Sequence, residues 1–135
     1  MILPFEVFDK RASTSSKTPM VTIQKGGQFS LNKAAYDAMD SPDAVELLYD
    51  REEKMIGFRP TSPTSPRAYP IKLQSKNSVG RAVAGQAFTK YYGLDTTTAR
   101  RYPVKMQDGV LVLDLKGESV VVTGPRAAMK SRLGE

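Results

Sequence analysis

Residues 20–39 read MVTIQKGGQFSLNKAAYDAM, and this stretch decides the fold. Val21 and Ile23 alternate with Thr22 and Gln24, the period-2 pattern of a strand buried on one face. Gly26-Gly27 supplies a turn that tolerates positive φ. Phe29 and Leu31 then alternate with Gln28 and Ser30, so the chain returns as a second strand. Asn32 suits a helix N-cap, and Leu31, Ala35 and Met39 recur at four-residue spacing. The helix has to be short, because Asp40-Ser41-Pro42 follows and the residue before a proline avoids helical dihedrals.

Working outward, Ala44 to Tyr49 is strand-like, Asp50 to Lys54 is a polar turn, and Met55 to Arg59 is strand-like again. In that last strand Met55, Gly57 and Arg59 share one side, with Ile56 and Phe58 on the other. Upstream, residues 1–19 form an arm. Its apolar patch (Ile2, Leu3, Phe5, Val7, Phe8) has the alternation of an edge strand and runs into a Ser/Thr loop. Residues 61–70 are a connector. Pro60, Pro63 and Pro66, three residues apart among Ser and Thr, favour an extended polyproline-like path.

Residues 71–123 repeat the order of residues 20–60. Ile71 and Leu73 alternate with Lys72 and Gln74, Asn77 to Gly80 are turn-formers, and Val83 lies between Ala82 and Ala84. Gln86 to Tyr92 reads as a short helix, with Phe88 and Tyr92 four apart and Gly93 closing it. Tyr102, Val104 and Met106 alternate with polar neighbours, Gln107-Asp108-Gly109 makes a hairpin turn, and Val110 to Leu115 and Val120 to Val122 are strands. Residues 124–135 are a basic tail. With Gly27 laid over Gly80, Ala35 falls on Phe88 and Met39 on Tyr92, and the second copy needs two or three extra residues before its hairpin. The expected fold is therefore α+β and β-rich: two similar strand–helix–hairpin halves forming one compact, barrel-like domain. Neither half alone has enough apolar surface to fold.

Each unit resembles the swapped-hairpin DNA-binding family that includes the AbrB and SpoVT regulators. Gly27-Gln28-Phe29-Ser30-Leu31-Asn32 is similar to the start of that family's run, and Leu47-Leu48-Tyr49-Asp50 to its hairpin. Gly80-Arg81-Ala82-Val83 through Tyr92-Gly93-Leu94 keeps a basic residue and a helix-ending glycine, where the first copy has Gln28 and Asp40. The proline common before the family's helix is Asn32 in one copy and Gly85 in the other. The resemblance spans roughly residues 20–60 and 71–115 and implies two interlocked units in one barrel, with DNA gripped near the first strand turn. Carried over by position, the turn residues are Lys25, Lys76 and Arg81, with Lys33 and Lys90 on the helices.

Charge points to the same partner class without the resemblance. The chain carries 20 basic and 14 acidic residues, net +6. Residues 21–65 hold 5 basic and 7 acidic side chains, whereas residues 66–105 hold 8 basic and 1 acidic. A basic excess confined to one segment is the footprint expected for a polyanion. There is no cysteine and no histidine, which removes disulfides, thiolate chemistry, the commonest general base and the usual zinc ligands. The expectation is a binding protein, not an enzyme, with no cofactor and no metal. The N-terminus lacks a signal-peptide pattern and no apolar stretch is long enough to span a bilayer, so the expected location is cytoplasmic, away from membranes.

The candidate nucleic-acid-binding residues are Lys25, Lys72, Lys76, Arg81, Lys90, Arg100 and Arg101. Lys72, Lys76 and Arg81 flank a Gly/Ser/Asn-rich turn whose backbone can approach phosphates. Arg100 and Arg101 offer guanidiniums for phosphate pairing, although neighbours in a strand face opposite ways. Tyr91 is a candidate for base stacking, while Tyr92, four residues after Phe88, reads as core. Asp50, Glu52 and Glu53 read as a solvated turn and Gly26-Gly27 as a turn, too short for a phosphate-binding loop. The leading expectation is a DNA-binding transcriptional regulator that prefers duplex and works mainly through its second half. The alternatives are a single-strand-binding module using Tyr91 and Phe88, and a protein–protein adaptor or structural subunit with an acidic partner. The oligomeric state is open, with a homodimer among the arrangements.

Overall fold

The computed structural model describes residues 18–74 and 79–122. The arm up to residue 17, Lys76 and the tail 124–135 therefore lie outside the described residues. Strand β1 (Met20–Ile23) turns at Gly26-Gly27 into β2 (Phe29–Leu31). Both glycines have positive φ, +94° and +107°, and the Gly27 amide donates to the Gln24 carbonyl at 2.9 Å. Helix α1 (Lys33–Ala38) follows at once. Its N-cap is Asn32, whose Oδ1 accepts from the Ala35 amide at 2.8 Å and the Met20 amide at 3.0 Å. One side chain thus caps the helix and ties it to the start of β1. Asp40 and Ser41, both in the left-handed region, end the helix before Pro42.

Strands β3 (Ala44–Asp50) and β4 (Met55–Thr61) form a hairpin whose turn is held by Asp50 Oδ1, which accepts from the amides of Glu52 and Glu53. β4 runs on through Pro60 to Thr61, and the connector after it is not extended. Ser65 and Ala68 donate to the carbonyls of Ser62 and Ser65, and Ser62 Oγ accepts from the Thr64 amide at 3.2 Å. Local hydroxyl–backbone bonds win over the extended preference of the spaced prolines.

The chain then runs through β5 (Tyr69–Pro70), β6 (Lys72–Leu73), β7 (Arg81–Val83), α2 (Gln86–Tyr91), β8 (Arg100–Gln107), β9 (Val110–Asp114) and β10 (Val120–Val121). Gly93, at φ +65°, closes α2, and Asp108-Gly109, both at positive φ, make the two-residue turn between β8 and β9. The alternation read at Ile71 and Leu73 leaves Leu73 56% exposed, because β6 is only two residues long and lies at the sheet margin.

All pairings are antiparallel, and the order is β5-β3-β4-β9-β8-β1-β2-β7-β6, with β10 also on β8. The two ends of that order, β5 and β6, are separated by Ile71 alone. β5 pairs with β3 and β6 with β7, so one short segment bridges both margins and curls the sheet into a nearly closed barrel. The molecule is a β-rich, compact domain. Phe29, Phe58, Leu31, Ile56, Leu111, Leu113, Val21, Val45 and Val83 fill the barrel with under 2% exposure. The Phe29 ring stands edge-on to Phe58 at 5.1 Å and to Phe88 at 6.0 Å, which locks β2, β4 and α2 together.

Candidate nucleic-acid interface

Strand register decides which cations share a face. On β8, Arg101 pairs with Thr22 and Arg100 with Ile23. Thr22 pairs with Ser30, Ser30 with Ala82 and Ala82 with Lys72. Cross-strand partners point to the same side of a sheet, so Arg101, Thr22, Ser30, Ala82 and Lys72 form one row across five strands. Their strand neighbours Val21, Ile23, Phe29, Leu31, Val83 and Tyr102 are buried in the barrel, so the row lies on its outer face. At about 4.8 Å per strand, the two end cations stand at most about 19 Å apart at their backbones. Only small side chains separate them.

The outer face is dished there. An open depression of about 260 Å³ is lined by Met20, Thr22, Gln24, Ser30, Asn32, Lys33, Gln74, Val79, Gly80 and Arg101, with Leu31 at its edge. Arg101 Nε donates to Thr22 Oγ1 at 3.3 Å, and Gln24 Nε2 donates to Ser30 Oγ at 2.9 Å. Lys33 is tied by an ion pair to Asp37 one helical turn on, at 2.6 Å.

The other candidates fall elsewhere. Arg100 points to the barrel side of β8 but emerges at the rim, where its Nη1 donates to Ser119 Oγ at 3.4 Å. There it also helps hold the Asp95 carboxyl below its ordinary range, behind the larger effect of two hydrogen bonds from Thr97. Arg81 lies with its guanidinium 4.4 Å from the Tyr36 ring centre and donates to the Val79 carbonyl at 2.8 Å. It holds Val79 and the start of β7 against α1 rather than standing free.

Lys25 is exposed on the β1–β2 turn, whose Gly26 amide donates to the Thr96 carbonyl at 3.1 Å. That turn packs on α2, since Gly27 abuts Thr89 and Gln86. Exposed Lys90 and Tyr91 belong to the same helix. Tyr91 is 75% exposed and meets the Tyr92 ring edge-on at 4.9 Å. Tyr92 packs on Phe88 and Tyr49 under Arg51, in keeping with its reading as core.

Sequence reading missed Thr22, Ser30 and Gln24, because small polar residues on a strand carry no signal until the register lines them up. Among the described residues no cluster of carboxylates suits a metal ion, and no helix is long and apolar enough to cross a membrane. No protein-family model matches the chain, and comparison with curated proteins and with solved structures finds no match.

Proposed function

We propose that this protein is a DNA-binding regulator, built as two similar halves in one swapped-hairpin barrel of the AbrB/SpoVT kind, that grips duplex phosphates on the outer face crossed by Arg101 and Lys72. The observation that carries the reading is the single row Arg101–Thr22–Ser30–Ala82–Lys72. Cations at both ends and short side chains between them let a phosphate backbone come close to the sheet. A span of up to about 19 Å exceeds the roughly 12 Å width of a major groove, so one row can touch phosphates on either side of it.

The pairings support the two-half architecture. β1 pairs with β8, β2 with β7 around Ser30 and Ala82, and β4 with β9, so the two candidate halves meet along three strand pairs. The contacts are also exchanged between halves. The first turn, at Gly27, packs on α2, whereas Arg81, just past the second turn, packs on α1. An exchange of this kind makes neither half complete alone.

The test is fluorescence anisotropy with labelled random-sequence duplex and single strands over a range of salt concentrations. Duplex binding that falls steeply with salt is expected, with most of it lost in an Arg101→Ala/Lys72→Ala variant that still folds. Absence of binding to either form at low salt would reject the reading and turn attention to an acidic protein partner. A single-strand preference has one supporting observation, the exposed ring of Tyr91 braced by Tyr92. Tighter binding of single strands, lost in Tyr91→Ala, would favour it.

A further inference from the structure

We propose that Thr22, Ser30 and Arg101 form a ready-made seat for a phosphate oxyanion in the floor of the outer-face depression. The inference rests on the DNA-binding reading only for the source of that phosphate; the seat itself follows from hydrogen-bond valence.

A hydroxyl can donate once and accept twice. Thr22 Oγ1 accepts from Arg101 Nε, and Ser30 Oγ accepts from Gln24 Nε2. Neither hydroxyl donates to a protein acceptor among the described residues, although both residues are only 7% exposed. Each oxygen is therefore polarised by an N–H donor, and its own hydrogen remains to be given away. Thr22 and Ser30 are direct cross-strand partners, so the two hydroxyls sit side by side on one face. Arg101 spends Nε on Thr22, which fixes the guanidinium, and among the described residues its two terminal amino groups make no ion pair. Lys33 lines the same depression, its charge shared with Asp37.

The floor is therefore rich in donors and free of carboxylates: two hydroxyl hydrogens beside a fixed guanidinium. A cation or a neutral acceptor–donor ligand would leave these donors unmatched. A phosphate, with several acceptor oxygens and negative charge, matches them. The depression, about 260 Å³, admits a single phosphate group with its ester substituents directed out of the open mouth. The same chemistry is offered by a DNA phosphodiester and by a free phosphate or phosphomonoester, and the two sources are separable by experiment.

The experiment is a ¹H–¹⁵N NMR titration of the full chain with inorganic phosphate and, separately, with a short DNA duplex, at constant ionic strength with chloride as control. Saturable shifts at the Thr22 and Ser30 amides and the Arg101 Nε–H are expected with phosphate and not with chloride. Thr22→Val/Ser30→Ala keeps shape and removes both hydroxyls; it should weaken phosphate binding by on the order of tenfold or more, since charge-assisted hydrogen bonds are the stronger class. Gln24→Glu serves as the second variant should the first fail to fold. It sets a carboxylate at the seat and should abolish phosphate binding. Phosphate shifts without duplex binding would uphold the seat with a free phosphate as its ligand, and would reject the DNA reading. Duplex binding of undiminished affinity in both variants, with no phosphate shifts in the wild type, would overturn the seat and leave the DNA reading standing.

Discussion

The Arg81 guanidinium lies over the Tyr36 ring, 4.4 Å from its centre, and joins the start of β7 to helix α1. The contact couples a residue from the basic second segment to the mildly acidic first one. It also ties up a cation that position alone would assign to a ligand. One terminal nitrogen of Arg81 also donates to the Val79 and Gly80 carbonyls, which fastens the segment entering β7.

Arg81→Ala should therefore act mainly on stability. Loss of a cation–π contact and the hydrogen bonds beside it is expected to lower unfolding free energy by about 1–2 kcal/mol. Urea denaturation measures this directly. Duplex affinity of the folded variant should drop less than for Arg101→Ala. The reverse order would make Arg81 a ligand contact and its packing on Tyr36 incidental.

Gly85→Ala tests how closely α2 and β2 approach. A Cβ at Gly85 would run into the Phe29 ring and come within 2.8 Å of the Gly27 carbonyl oxygen. Phe29 cannot yield, because it is fully buried against Phe58 and Phe88. Overpacking of this kind costs about 1–3 kcal/mol. Gly93→Ala is a useful contrast: nothing lies within 4 Å of that position, and only its positive φ resists substitution. Thermal unfolding should place Gly85→Ala well below Gly93→Ala.

These contacts mark where sequence reading reached and where it stopped. Most strands and both helices were legible because alternation, Asn32, Gly93 and Asp108-Gly109 each act within a few residues, whereas β5 was read as part of the connector. A barrel-like domain was expected, but the way it closes was not legible. It depends on β5 and β6 pairing with strands far apart in sequence, and nothing local in Tyr69-Pro70-Ile71-Lys72-Leu73 signals a strand that changes partner. The connector turned rather than extended because Ser62 and Ser65 bond the nearby backbone. Arg101 could be named from charge. Its alignment with Lys72, and the separation of both from Arg81, needed register between strands up to 79 residues apart at Thr22 and Arg101.

Asp95 offers a pH handle beside Arg100. Its carboxylate accepts from Thr97 Oγ1 at 2.7 Å and from the Thr97 amide at 3.0 Å, and these bonds, with a smaller contribution from Arg100, hold its pKa below the ordinary 3.8. A carboxyl with a lowered folded-state pKa favours the folded state above its unfolded value. That contribution fades as pH falls through the lowered folded value. Because the group is fully exposed, the effect on stability is slight and the titration itself is the better readout. Thr97→Val should move the Asp95 midpoint upward in a ¹³C carboxyl NMR titration. Arg100→Ala should move it in the same direction by less. An unchanged midpoint in Thr97→Val would mean that the hydroxyl does not set it.

The separation of cations by face predicts a difference in salt dependence. Each phosphate contact releases condensed counterions, so removing one should reduce the slope of log affinity against log salt by about 0.9. Arg101→Ala and Lys72→Ala, at opposite ends of the outer-face row, should each lose about that much, and the double variant about twice as much. Arg59→Ala is the control. Arg59 is exposed, but its guanidinium is held by Glu46 on the neighbouring strand through Nε at 2.9 Å and Nη2 at 2.5 Å. Its positive charge is thereby offset, and its row on β3 and β4 is not the one that carries Arg101. The slope should stay as in the wild type. If all three variants changed the slope equally, binding would depend on overall charge rather than on one face, and the alignment of Arg101 with Lys72 would have no bearing on DNA. If only the row variants changed it, the contacts map to that face, because overall charge falls by one unit in each single variant.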